Sequence, residues 1–359
     1  MQKIHIISTK AITINLFLEN LISNLKKKNK DCILWTSDPE NLNYPNIKKN
    51  RLYIFTNFLF LINPFKLFKC LFKLRQLIKA NKKDIFLINT PLVSHLFRIA
   101  SIGLNIKTIY FVHGFRFHKC TMIIYYWFFF IIEYILSFLT HKYIVINNED
   151  EKIIHKYLKK KFIKVNGVGI DLYKDQQIKN TFSISKKSLK IIVIGVYKKT
   201  KGYDDVIWLA TNLKDDNLFF NCYGYGDLNN FKNKITKLNL KNIHLNKFDQ
   251  NLKEKLQNYN LIVHLSQREG LPVSIMECLS VGIPVIGYNI RGLNDLIINK
   301  YNGFLYPINK KEKILNKLKE ISKDQSKLLD LSKNAFNSLN YSYSKEYISN
   351  QIIDFIEAE

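Results

Sequence analysis

Short apolar runs alternate with longer segments of helical period along the whole chain. In the first half, runs rich in β-branched and apolar residues predict strands at 3–8, 32–36, 85–89, 108–112, 143–146 and 162–165. Segments of helical period between them predict helices near 14–28, 64–80, 92–102, 122–139 and 148–158. A polar stretch, 175–190, offers little to bury and reads as a linker. The pattern then restarts with Ile191-Ile-Val-Ile194-Gly195 and continues in strands at 218–223, 243–245, 261–265 and 285–287. This predicts an α/β chain with two Rossmann-like domains, 1–174 and 191–342, followed by a helical segment over 343–359.

Two apolar segments invite a membrane reading. Residues 122–139 approach spanning length, but Glu133 in their middle would be costly in lipid. The segment also falls between two strands of one expected sheet, so a buried or half-buried helix is the expectation. In 63–79, Phe65, Phe68, Leu71, Phe72 and Leu74 recur near helical spacing among Lys66, Lys69, Lys73, Arg75 and Lys79. That mixture suits either a helix covering the sheet or an interfacial helix at anionic headgroups.

Composition then narrows the class. With 359 residues the chain accommodates two domains, and 47% hydrophobic residues exclude a disordered chain. Its five cysteines are scattered, with no metal-ligand spacing, which fits a reducing cytoplasm. The N-terminal residues lack the apolar core of a signal peptide and read as a first strand. A formal net charge of +26 points to anionic partners: nucleic acid, anionic lipid or phosphate-bearing substrates. The lysines are spread evenly and no nucleic-acid motif is present, so no nucleic-acid partner is expected.

The chemistry concentrates in Glu269-Gly-Leu-Pro-Val-Ser-Ile-Met-Glu277, followed by Gly282-Ile-Pro-Val-Ile-Gly287. A strand before Glu269, a turn, and Pro272 at the first helical position make one βαβ unit. The helix should run to about Val281 and stop at Gly282. Its start is an anion site, because free N–H groups and the positive dipole end converge there. Glu269 on the turn and Glu277 in the helix then stand on either side of a bound diphosphate. The alternative is two solvated glutamates around an ordinary helix.

This segment resembles the E-x7-E signature of the retaining family 4 glycosyltransferases, which have the GT-B fold: two Rossmann-like domains whose parallel sheets face across a cleft, with a C-terminal helix crossing back to the first. The resemblance implies that Glu269 contacts the transferred sugar, that Glu277 binds the ribose, and that Gly270, Leu271, Pro272 and Val273 hold the diphosphate. Lys201-Gly202 matches the family's phosphate-clamping Lys-Gly. Val196 stands where the family carries arginine, leaving Lys198 or Lys199 to supply a second cation. Gly195, Gly224 and Gly226 match donor-binding turns, and Arg268 pairs with Glu269 or with phosphate. In the first half, His113-Gly-Phe-Arg-Phe, Glu133, Asn147 to Asp150 and Gly167 to Asp171 resemble a branch that assembles capsule, exopolysaccharide or O-antigen.

His113 is accordingly the candidate cleft residue, with Glu269 and Lys201, for the transfer. The implied reaction moves a hexose or N-acetylhexosamine, with retention and without metal or other cofactor. The implied donor is a nucleotide sugar, read as UDP-linked, and the acceptor a lipid-linked glycan on polyprenyl diphosphate. The anionic inner-membrane surface would be a further partner, and the protein cytoplasmic and peripheral to it. Two alternatives stay open: a catalytically idle GT-B partner or membrane-surface scaffold, and a nucleotide-sugar epimerase of the same fold.

Overall fold

The computed structural model describes residues 2–52, 63–119, 121–172, 188–324 and 326–358. Most of the expected linker and Cys120 lie outside these residues. The chain divides into two compact units: Met1–Gly169 with Lys345–Glu359, and Ile170–Ser344.

The first unit carries a seven-stranded sheet of β1 (Ile4–Ile7), β2 (Cys32–Thr36), β3 (Lys49–Arg51), β4 (Ile85–Asn89), β5 (Lys107–Val112), β6 (Lys142–Val145) and β7 (Lys161–Lys164). Its order is β3-β2-β1-β4-β5-β6-β7, and every pairing is parallel. Strands buried on both faces read as continuous apolar runs, which is why five of the six expected here are fully buried or nearly so. The strand Lys49–Arg51 was not expected, since three polar residues at a sheet edge have no apolar pattern to detect.

Helices α1 (Ala11–Phe17) and α2 (Glu19–Lys27) replace the single helix expected over 14–28. The break at Leu18 lets α2 turn its buried Leu21, Ile22 and Leu25 toward the core. Helices α3 (Pro64–Ala80), α4 (Pro91–Ala100) and α5 (Ile123–Ser137) share one apolar core with β4, β5 and β6. Asn63 caps α3 by accepting from Lys66 N–H at 3.0 Å, and Pro64 occupies its first position. Helix α6 (Asn148–Ile153) continues into a π turn, Ile154–Leu158.

The second unit has a six-stranded parallel sheet: β8 (Leu189–Ile194), β9 (Leu218–Gly224), β10 (Ile243–Lys247), β11 (Leu261–His264), β12 (Val285–Tyr288) and β13 (Gly303–Tyr306), ordered β10-β9-β8-β11-β12-β13. Around it run α7 (Tyr203–Asn212), α8 (Asn229–Lys237), α9 (Leu252–Lys255), α10 (Val273–Ser280), α11 (Leu293–Leu296), α12 (Lys311–Lys323) and α13 (Ser326–Asn337). The last helix, α14 (Lys345–Glu357), belongs to the first unit. There Asn24 Nδ2 donates to Ser349 Oγ at 2.5 Å, and Lys30 pairs with Glu357 at 2.6 Å.

Helix α5 is half-buried, as expected: Leu136 is buried and Tyr126, Phe129 and Phe130 pack against the core, while Ile123, Ile124, Trp127, Phe128, Ile131 and Ile135 are exposed. Glu133 lies on the buried side, and Arg98 holds it there. Its guanidinium grips Glu133 in a fork, Nη1 to Oε1 at 2.6 Å and Nη2 to Oε2 at 2.9 Å, and Tyr143 Oη donates to Oε1 at 2.8 Å. Burial alone would lower the Arg98 pKa; the adjacent Glu133 carboxylate outweighs it and raises it. No helix among the described residues is long and apolar enough to cross a membrane.

Candidate functional site

In the second sheet the chain leaves β8 for β9 on one side and later fills β11 on the other. The carboxyl ends of β8 and β11 are therefore the topological switch point, where open α/β sheets bind ligands. Two segments meet there. After β8, Gly195 to Gly202 forms a loop ending in the short 3-10 turn Lys199–Lys201. After β11, residues 265–272 lead into α10.

The two segments are held in register by backbone. Gln267 N–H donates to Thr200 O at 2.9 Å. Gly202 has φ +77°, and a Cβ built on it would lie 2.1 Å from Leu265 O, so no other residue permits this approach. The consequence is at the side chains: Lys201 Nζ donates to Glu269 Oε1 at 2.6 Å. His264, the last residue of β11, lies with Nε2 3.1 Å from the same oxygen. Burial alone would raise the Glu269 carboxyl; the His264 hydrogen bond and the His264 and Lys201 charges outweigh it and hold it at about 2.

Helix α10 begins at Val273, so Pro272 is its N-cap and not its first residue, and the helix ends at Ser280. Glu277 lies on its second turn, partly buried. Gly270 is partly buried and Leu271 and Pro272 are buried, whereas Arg268 and Lys198 are exposed. Gly195, Gly224 and Gly226 surround the loop after β8: Tyr203 Oη donates to Gly195 O at 2.7 Å, and Gly224 packs on Gly195.

Sequence reasoning missed three features here. His264 was legible only as a strand residue. Arg291, 5% exposed, donates from Nε to Glu269 O at 3.1 Å and so holds the turn from the side of β12. Its loop is drawn in because Gly292, φ +76°, lies where a Cβ would meet Gly270 O at 1.9 Å. An Arg-Gly at a strand end next to the Glu-Gly turn was the available signal. Third, Tyr225 and Phe248, both exposed, stack with ring centroids 4.1 Å apart beyond β9 and β10.

His113 belongs to the first unit, at the carboxyl end of β5. Asn89, at the end of β4 and fully buried, directs Nδ2 toward Ile7 O and Leu87 O at 3.3 and 3.4 Å. Its Oδ1 is thereby turned to His113 Nε2 at 3.2 Å, which assigns the imidazole proton to Nε2. Burial pushes the His113 pKa down to about 4, so the ring is neutral near pH 7. The loop after His113 is fixed from beneath: Asn147 caps α6, and buried Asp150 accepts from Phe115 N–H at 3.3 Å. Glu133 stands apart from this group, inside the Arg98 fork. Among the described residues no group of three or more His, Cys, Asp or Glu side chains is placed to hold a metal ion.

The profile of the family described as "Glycosyl transferases group 1" matches residues 174–338, and that described as "Glycosyl transferase 4-like" matches 4–148. The chain is a glycosyltransferase.

Among curated relatives, this glycosyltransferase is 29% identical over 306 residues to the Escherichia coli UDP-Gal:alpha-D-GlcNAc-diphosphoundecaprenol alpha-1,3-galactosyltransferase, covering 77% of this chain and 76% of that one. It is 28% identical over 215 residues to the N,N'-diacetylbacillosaminyl-diphospho-undecaprenol alpha-1,3-N-acetylgalactosaminyltransferase of Campylobacter jejuni, covering 56% of this chain and 57% of that one. Among solved structures, Anabaena Alr3699/HepE in complex with UDP and glucose superposes with a TM-score of 0.76 at 14% identity, over 99% of both chains. At that identity the likeness shows the fold, which is GT-B.

Proposed function

We propose that this glycosyltransferase moves a hexose or N-acetylhexosamine, with retention, from a UDP-linked donor to a glycan on polyprenyl diphosphate in surface polysaccharide assembly. The carrying observation is the Lys201–Glu269–His264 cluster at the start of α10. It supplies a cation, an ionised carboxylate and a helix N-terminus at one switch point.

The donor diphosphate takes the turn from Gly270 to Val273. Lys201 exchanges the Glu269 carboxylate for the β-phosphate as the donor binds, which frees Glu269 to hold the hydroxyls of the sugar. Glu277 takes the ribose hydroxyls. As the bond from the anomeric carbon to the phosphate oxygen breaks, charge grows on that oxygen and Lys201 stabilises it. The acceptor hydroxyl attacks the same face and gives its proton to the departing phosphate. Arg291, through the Glu269 carbonyl, keeps the turn in place while Lys201 changes partners. Neutral His113 presents its Nδ1 lone pair to a hydroxyl of sugar or acceptor. No metal enters this scheme.

The two relatives' names both specify diphospho-undecaprenol acceptors, which supports the acceptor class. The +26 charge suits work at the anionic inner face of the membrane. The test is transfer by the purified protein from a panel of UDP-sugars to a polyprenyl-diphosphate-linked monosaccharide. Product that disappears in Glu277→Ala supports the reading. No turnover with any donor would make the chain an idle partner, and sugar interconversion without acceptor would make it an epimerase.

A further inference from the structure

Helix α5 carries an apolar seam that no other described residue covers. Ile124, Phe128, Ile131, Ile135 and Phe138 recur at alternating steps of four and three, which aligns them on one side of a helix. They are 52–74% exposed. Glu133 is on the diametrically opposite side, locked in the Arg98 fork. The buried ion pair thus fixes the rotation of the helix and turns the seam outward. A contiguous apolar surface of this kind marks an interaction site.

The surroundings say what covers it. Arg116 lies 5.2 Å over the ring of Phe129 at mid-helix, and Lys160 5.8 Å over that of Phe138 at its C-terminal end, so cations stand beside the helix. Tyr125, Trp127 and Tyr134 flank the seam, the residue types that favour the headgroup level of a bilayer. At 15 residues the helix is about 22 Å long, too short to span but suited to lying in the interface. A second copy of the chain would bring the same cations against themselves, at +26 on each partner. An anionic bilayer accepts both the seam and the cations.

We infer that α5 is an in-plane membrane insertion element, entering the acyl boundary of an anionic leaflet while Arg98–Glu133 holds it to the sheet. This rests on the membrane setting proposed above and names the surface that meets the lipid. It makes the lipid contact apolar as well as electrostatic, and places it at α5.

Flotation with vesicles of phosphatidylglycerol and phosphatidylcholine in equal parts tests it without donor or acceptor. The protein is expected to float, with Trp127 emission shifted to the blue and quenched by lipids brominated in the acyl chains; Trp127→Phe removes that signal. Phe128→Glu with Ile131→Glu is expected to cut vesicle binding at least roughly tenfold while thermal unfolding and transfer to a short-chain soluble acceptor stay as in the parent. Equal flotation of that double variant overturns the assignment. So does a parent protein that ignores vesicles, or that runs as a dimer which the double variant splits. Loss of transfer with intact flotation counts against the proposed reaction and leaves this inference standing.

Discussion

The two units are built alike, each a parallel sheet wrapped in helices with a switch point between strands, yet they spend their surfaces differently. Nineteen of the twenty-six exposed large apolar side chains among the described residues lie in the first unit and seven in the second. The second unit gathers its charged chemistry at strand ends, in the Lys201–Glu269–His264 cluster. The first hides its strongest ion pair beneath a helix and shows the helix's apolar side instead. One architecture thus offers two independent places to work, the carboxyl edge of the sheet and the outer faces of the helices. In this chain each unit emphasises a different one.

The sharpest way to break that contrast is to remove Arg98. Arg98→Ala leaves the Glu133 carboxylate buried without its fork, at a cost of about 3–5 kcal/mol. Urea unfolding should show the loss, and vesicle binding should fall as α5 loses its fixed rotation. Next, Lys201→Met should lower the turnover number by roughly 10²–10³-fold, the scale for removing a preorganised stabiliser of a leaving oxyanion. Flotation with vesicles should be unchanged, which separates the two units' roles.

The smallest effect is in pH. The Glu269 carboxyl sits near 2 when folded against an ordinary 4.5, so the cluster's stabilisation is full above about 4.5 and is lost as pH falls toward 2. Denaturation of the parent minus that of Glu269→Gln should therefore shrink as pH falls from about 4.5 toward 2. A difference that did not shrink over that range would contradict the assignment.

Much of this was written in local pattern. Fully buried strands such as Ile85–Asn89 and the helix Pro64–Ala80 were legible to the residue, because apolar runs, an Asn cap and a Pro at the first position are local signals. The Glu269 turn was legible because its chemistry and its βαβ context lie in one segment. What escaped was decided across the chain. Whether Glu133 is buried depends on Arg98, thirty-five residues away, and an apolar helix of period 3.6 looks the same whether its seam faces a sheet or the outside. Arg291 was missed for a similar reason, since only the approach of two loops at Gly292 brings it to Glu269. The short edge strand at Lys49–Arg51 follows its neighbour β2 and no pattern of its own.

The return of α14 to the first unit has a consequence for how the protein is made. The second unit is one continuous stretch of chain, complete once residue 344 has left the ribosome, whereas the first waits for Lys345–Glu357. Domains usually finish in the order of synthesis; here the half begun first is the half closed last. Until then α2 lacks Ser349 and Lys30 lacks Glu357. A nascent chain stalled before residue 345 would hold a finished second unit and an unfinished first one, with the seam of α5 already translated.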